Sequence, residues 1–213
     1  MNTLYLLGGP PRTAKTTIMS GVASKLQIAF VAADAVEHGM RNVITGKPHQ
    51  MLGDIELYGS TTYKASIAAD GERKSFSNRG SESELTLQAI IGMLDYYCRN
   101  NESATFEGAV FTPQIVKALQ VPGFVIRAAF VGFTSPAHAD QILRYAISNP
   151  HDWINGWIEN DGEARVRAWV AKQAEKCVRL KSEAEELGYP FFDISTMQFK
   201  QYVAHTQKYF LEP

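Results

Sequence analysis

The run Gly9-Pro10-Pro11-Arg12-Thr13-Ala14-Lys15-Thr16 sets residue types that can do chemistry together at a fixed spacing. It follows the apolar stretch Leu4-Tyr5-Leu6-Leu7 and precedes a helix-like one. It meets three of the four defining positions of the phosphate-loop pattern G-x-x-x-x-G-K-[ST]. In such a loop, glycine adopts backbone angles that a Cβ disfavours. Main-chain N–H groups then turn inward around a phosphate, and the N-terminus of the next helix adds its positive end. Lys15 would neutralise the terminal phosphates, and Thr16 would place a hydroxyl on Mg²⁺ with Thr17 as its neighbour. Ala14 stands where the pattern has its second glycine. If that residue needs a positive φ, its methyl group costs about 1 kcal/mol, and if its dihedrals are helical, alanine is harmless. The competing reading is an ordinary Gly-Pro turn before a helix; the flanking strand and helix favour the phosphate loop.

A phosphoryl-transfer site also needs Mg²⁺ ligands, a base near the acceptor hydroxyl and cations over the transferring group. Asp34 and Glu107 each follow a short apolar run and are the candidate carboxylates. One could accept the acceptor's proton and either could hold Mg²⁺ through water, with Asp34 favoured as the base. Each could instead cap a helix or fix a loop. The candidate cations are Arg12 in the loop itself, Arg144, and the pair Arg165 and Arg167 just after Asn160-Asp161-Gly162, where a lid would hinge. Arg73, Lys74 and Arg79 could bind an anionic substrate, although surface charge is the plainer reading of each alone. His138, His151 and His205 lack ligand spacing and are assigned no role, and Trp153, Trp157 and Trp169 read as lid packing.

The elements that must position these groups are visible in the pattern. Strands are expected at Leu4–Gly8, Ile28–Ala32, Ala104–Phe106, Phe124–Phe133 and Pro190–Ile194. Helices are expected at Lys15–Leu26, after the capping box Ser81-Glu82-Ser83-Glu84, and after Thr112-Pro113. Further helices are expected after Ser135-Pro136, from Glu163 to Leu187 with Gly188 as the stop, and at the C-terminal end. His151, Asp152, Trp153 and Trp157 are expected in a loop. The glycine-spaced region 37–80 is expected to hold short helices and loops that shape a substrate pocket or cover; a disordered insertion is the alternative. Alternating strands and helices imply an α/β chain with parallel strands, right-handed crossovers and helices on both faces. Ligands of such sheets bind at the carboxyl ends of the strands, which is where Gly9, Asp34, Glu107 and Phe133 fall.

The composition excludes several classes. At 213 residues the chain can bury one good-sized core. A formal charge of −1 argues against nucleic-acid binding by bulk electrostatics. Cys98 and Cys177 are the only cysteines, without C-x-x-C spacing, and read as reduced thiols. No apolar run approaches the length of a membrane span, and no basic-then-apolar leader opens the chain, so a cytoplasmic location is expected.

The opening Leu6-Leu7-Gly8-Gly9-Pro10-Pro11-Arg12-Thr13-Ala14-Lys15-Thr16-Thr17 resembles that of small P-loop kinases, the nucleoside and small-metabolite kinases and, more narrowly, 2-phosphoglycerate kinase-like proteins. Phe106-Glu107-Gly108 and the ending Lys181-Ser182-Glu183-Ala184…Gly188-Tyr189-Pro190-Phe191-Phe192-Asp193 are similar to that narrower group. The resemblance implies a single P-loop NTPase domain over 1–213, built as a three-layer sandwich. Its five-stranded parallel sheet would be ordered 2-3-1-4-5, with a lid at about 149–165 and a substrate-binding insert at about 37–80. It implies ATP bound at Gly9–Thr17, with Lys15 and Thr16 in the roles above. The expected activity is an ATP- and Mg²⁺-dependent kinase of a small hydroxylated metabolite. A nucleotide-binding regulator without phosphotransfer, or a zeta-toxin-like sugar-nucleotide kinase, are the alternatives. The expected partner is a small-molecule acceptor, not nucleic acid or membrane, and a homodimer is compatible with the sequence.

Overall fold

The computed structural model describes residues 2–45 and 82–212. Arg73, Lys74, Arg79, Ser81 and most of the insert lie outside the described residues. The chain divides into two compact units, Met1–Ala32 with Tyr97–Pro213, and Ala33–Tyr96.

The larger unit carries the sheet. Strand β1 (Asn2–Gly8) is followed by helix α1 (Lys15–Leu26) and strand β2 (Ala29–Ala32). After the second unit come β3 (Ala104–Gly108) and the short helix running from Pro113 to Ala118, then β4 (Phe124–Gly132). Thr112 caps that short helix, its hydroxyl accepting from the Ile115 N–H at 3.2 Å, with proline at the first helical position. The five strands are all parallel and ordered β2-β3-β1-β4-β5, the order the resemblance implied, with β5 spanning Phe191–Asp193. The central strands are long apolar runs because both faces are covered. Leu4, Leu6, Leu7, Phe106, Ala129, Phe130 and Val131 are all buried.

The second unit is entered without a loop. Helix α2 (Ala33–Thr45) starts at the residue after β2, and Glu82–Arg99 forms α3. Within α3, Ile90 and Leu94 are buried, whereas Ile91 is exposed.

Beyond β4 the chain departs from the sequence-based expectation. A 3₁₀ turn at Pro136–His138 leads into α5 (Ala139–Ser148), where α4 denotes the Pro113–Ala118 helix. The long helix expected from Glu163 begins ten residues earlier, as α6 (Trp153–Glu186). Asp152 accounts for the early start: its carboxylate accepts from the Ile154 N–H at 2.9 Å and caps the helix. Trp153 and Trp157 are therefore helical, not in a loop. Gly162, with φ 75° and ψ 175°, interrupts the helix, so the expected hinge is a kink inside one element. Gly188, with φ 79°, follows the end of α6. The last helix, α7 (Phe199–Leu211), packs against α1 and buries Tyr202 and Phe210, while Phe199 and, on α6, Val178 stay exposed.

Candidate active site

The loop between β1 and α1 is shaped by three unusual backbones. Gly9 has φ 147°, and a Cβ there would lie 2.2 Å from the Val131 carbonyl, so only glycine fits. Arg12 (φ 70°) and Ala14 (φ 59°, ψ 21°) are left-handed. Alternation into the left-handed region turns successive N–H groups toward one concavity, the geometry of an anion nest. The question left open by the sequence is thereby answered: Ala14 does carry a positive φ, and its methyl group sits in a conformation that glycine would hold without strain. The Ile18 N–H donates to the Ala14 carbonyl at 3.0 Å, so α1 begins directly from this residue.

Side chains brace the loop from within. Thr13, fully buried, donates to the Pro10 carbonyl at 2.8 Å, and Lys15 Nζ donates to the same carbonyl at 2.8 Å. The Lys15 ammonium is thus tied back to the loop at Pro10. Tyr202 of α7 donates to the Thr13 carbonyl at 2.9 Å. The Tyr202 hydroxyl has its pKa pushed far up by burial, so it stays a donor at any ordinary pH.

Thr16 is exposed at the mouth of the loop, and its hydroxyl donates to Glu107 Oε1 at 2.9 Å. Glu107 is only 2% exposed and lies within β3, one residue before its end. A buried carboxylate aimed at an exposed hydroxyl beside a phosphate nest fits Mg²⁺, which takes one or two protein oxygens and completes its shell with waters and substrate phosphates. Among the described residues, no group of three or more His, Cys, Asp or Glu is placed to hold a metal ion.

Arg12 is the residue whose partners the sequence did not reveal. Its guanidinium makes a bidentate pair with the Asp152 carboxylate, Nη1 to Oδ2 at 2.6 Å and Nη2 to Oδ1. It also lies over the Trp153 ring at 4.9 Å and beside Tyr145 at 5.8 Å. Its buried Nε has no hydrogen-bond partner among the described residues. The residue that caps α6 therefore also clasps the phosphate loop.

A second polar layer lies behind. The Asp193 carboxylate at the end of β5 accepts from the Ser195 N–H at 2.9 Å, the Ser195 hydroxyl, and Thr134 N–H and hydroxyl. Burial pushes its pKa up, but these donors outweigh burial and hold it below the usual carboxylate range. His138 stacks on Phe133 with ring centroids 4.7 Å apart. Burial lowers its pKa against the opposing pull of the Arg12 main chain, the Asp193 carboxylate and Gln141.

The remaining expected residues are placed differently from the sequence reading. Asp34 is not at the end of β2, which stops at Ala32; it occupies the first turn of α2, in the second unit. Arg144 stands on the exposed side of α5, and its side chain makes no ion pair or hydrogen bond among the described residues. Arg165 pairs with Asp161 one turn back on α6 and lies 4.7 Å over the Trp157 ring, while Arg167 pairs with Asp140 at 2.6 Å. Trp153, Trp157 and Trp169 pack edge to face with centroids 4.9–5.9 Å apart. The two arginines after Gly162 are thus engaged, Arg165 within α6 and Arg167 with Asp140 of α5.

A pocket of about 370 Å³ opens beside the first residues of the loop. Gly9, Pro10 and Pro11 form one wall, Ala109, Phe111 and Thr112 after β3 a second, and the face of α6 from Gln173 to Glu183 a third. Cys177 on this face is buried, and its thiol pKa is raised by that burial.

The five-stranded parallel sheet of order β2-β3-β1-β4-β5, with helices between its strands, is a fold also seen in solved kinase structures. Solved structures agree on the fold. Shikimate kinase from Bacteroides thetaiotaomicron matches over 97% of this chain and 94% of its own, at 15% identity and TM-score 0.54. A Chloroflexus aurantiacus j-10-fl protein carrying a provisional kinase assignment matches over 97% and 95%, at 15% identity and TM-score 0.51. No family model and no curated protein matches the chain. No described helix is long and apolar enough to cross a membrane.

Proposed function

We propose that this chain is an ATP- and Mg²⁺-dependent phosphotransferase acting on a hydroxyl of a small molecule. One observation carries the reading: Lys15 and the Thr16–Glu107 pair adjoin a loop in which Gly9, Arg12 and Ala14 have positive φ, the backbone pattern that suits an anion nest. The loop N–H groups and Lys15 would grip the phosphate tail, while Arg12, paired with Asp152, holds the loop in shape. Thr16 directly, and Glu107 through water, would hold Mg²⁺, which when bound would supply positive charge against the phosphate oxygens. The acceptor oxygen forms a bond to the γ-phosphorus as the bond to the bridging oxygen breaks, ADP leaves, and the hydroxyl proton passes to a carboxylate. Glu107 accepts the Thr16 hydrogen bond, and Asp34 is proposed as the base on its place in the chain alone, two residues after β2.

Lys15→Ala is expected to abolish the rise in melting temperature that ATP produces, and an unchanged rise refutes the loop assignment. ADP release measured over sugars, hydroxy acids, nucleosides and aminoglycosides tests turnover. The left-handed alanine at position 14 favours the second reading, a nucleotide-binding regulator; ATP binding without turnover of any acceptor would support it.

A further inference from the structure

From the pocket beside the phosphate loop we infer that the acceptor is an anion, a carboxylate or phosphate ester, recognised by Lys176 and Arg179. The inference rests on the kinase reading and deepens it. Gln173, Lys176 and Arg179 recur every three residues along α6 and Glu183 four further on, the spacing that puts side chains on one helix face. That face forms a wall of the pocket whose opposite wall is Gly9-Pro10-Pro11. A ligand between them would lie against the loop residues that border the transferring phosphate.

The charges have no other use among the described residues. Lys176 and Arg179 are both exposed, and neither forms an ion pair or hydrogen bond there. Other basic side chains of α6 do: Arg165, Arg167 and Lys181 each pair with an acid on or near the helix. Two like charges one turn apart repel, and an anion bridging them removes that repulsion. Glu183 lines the same pocket without pairing to either cation, so the lining keeps a net positive charge of two cations against one acid. Pro10, Pro11, Phe111 and Leu180 add apolar surface to the same pocket. A volume of about 370 Å³ suits a small metabolite and not a macromolecule.

The test uses the full chain with Mg²⁺ and ATP and follows ADP release with matched acceptors: glucose, gluconate and glucose 6-phosphate, then glycerol, glycerate and glycerol 3-phosphate. Turnover is expected only with charged members, and the carboxylate and phosphate arms tell the two anion sources apart. Arg179→Gln and Lys176→Gln, both at exposed positions, are each expected to raise the KM of the active acceptor about tenfold or more. The KM for ATP and the ATP-induced melting shift should not change. Equal turnover of neutral members, no turnover of any anion while ATP still raises the melting temperature, or an acceptor KM untouched in both variants overturns the inference. Absence of any ATP-induced shift in the wild type would instead remove the kinase reading itself.

Discussion

Replacing Ala14 with glycine tests how the phosphate loop is built. Ala14 has φ 59° and ψ 21°, and it is the residue from which α1 starts. A residue with a Cβ in this region costs about 1–2 kcal/mol relative to glycine. Two terms oppose the relief. Glycine enlarges the entropy of the unfolded chain by about 0.4–1 kcal/mol. The Ala14 methyl, partly buried against the core cluster, contributes no more than about 0.8 kcal/mol when fully covered, and about half of that here. The balance is a net stabilisation of about 0.5 kcal/mol. For a chain of 213 residues, at roughly 2–4 °C per kcal/mol, that is a rise in melting temperature of about 1–2 °C. Ala14→Val gives the opposite sign, because a β-branched residue is a poor occupant of the left-handed region; a loss of about 2 kcal/mol, or about 4–8 °C, is expected. Melting followed by circular dichroism, with and without Mg²⁺ and ATP, reads both. The nest should bind ATP at least as well with glycine at this position as with alanine. A glycine variant that melts several degrees lower, or a valine variant that melts like the wild type, would show that position 14 is not left-handed and that the nest has another shape.

Asp152→Asn keeps an equally good helix cap but loses the charge that clasps Arg12. The expected outcome is a loss of about 1–3 kcal/mol together with a weaker Kd for ATP in titration calorimetry; stability falling with ATP affinity intact would reduce Asp152 to a cap. Glu107→Gln keeps an acceptor for Thr16 and removes the carboxylate, so the Mg²⁺ concentration for half-maximal turnover should rise about tenfold or more, and an unshifted Mg²⁺ titration would detach Glu107 from the metal. His138 is held neutral in the fold, so the unfolded chain binds the extra proton first as pH falls. Stability should therefore drop below about pH 6.5 and toward the lowered folded pKa, and His138→Gln should flatten that part of the melting profile; equal slopes in the two proteins would exclude it.

Where order along the chain carried the information, the sequence sufficed. Lys15–Leu26 is helical over the span its pattern predicts, and Thr112-Pro113 caps and starts α4, because capping and periodicity are properties of a few adjacent residues. The phosphate loop was legible for the same reason: its glycine, lysine and threonine act through a contiguous backbone. Tertiary structure alone decided the rest. The left-handed angle at Ala14 depends on how the loop closes over β4 and α7. The joining of Arg12 to Asp152 spans a separation of 140 residues, and that of Thr16 to Glu107 spans 91, and no local pattern encodes such distances. The early start of α6 came from a cap whose aspartate also had a loop partner, so Trp153 and Trp157 were misread as loop residues. Asp34, expected at a strand end, falls in the first turn of a helix because α2 begins directly at Ala33, with no loop after β2. A charge pair or a strand end is settled by which surfaces meet once the sheet has assembled, and a single chain records its neighbours in order, not in space.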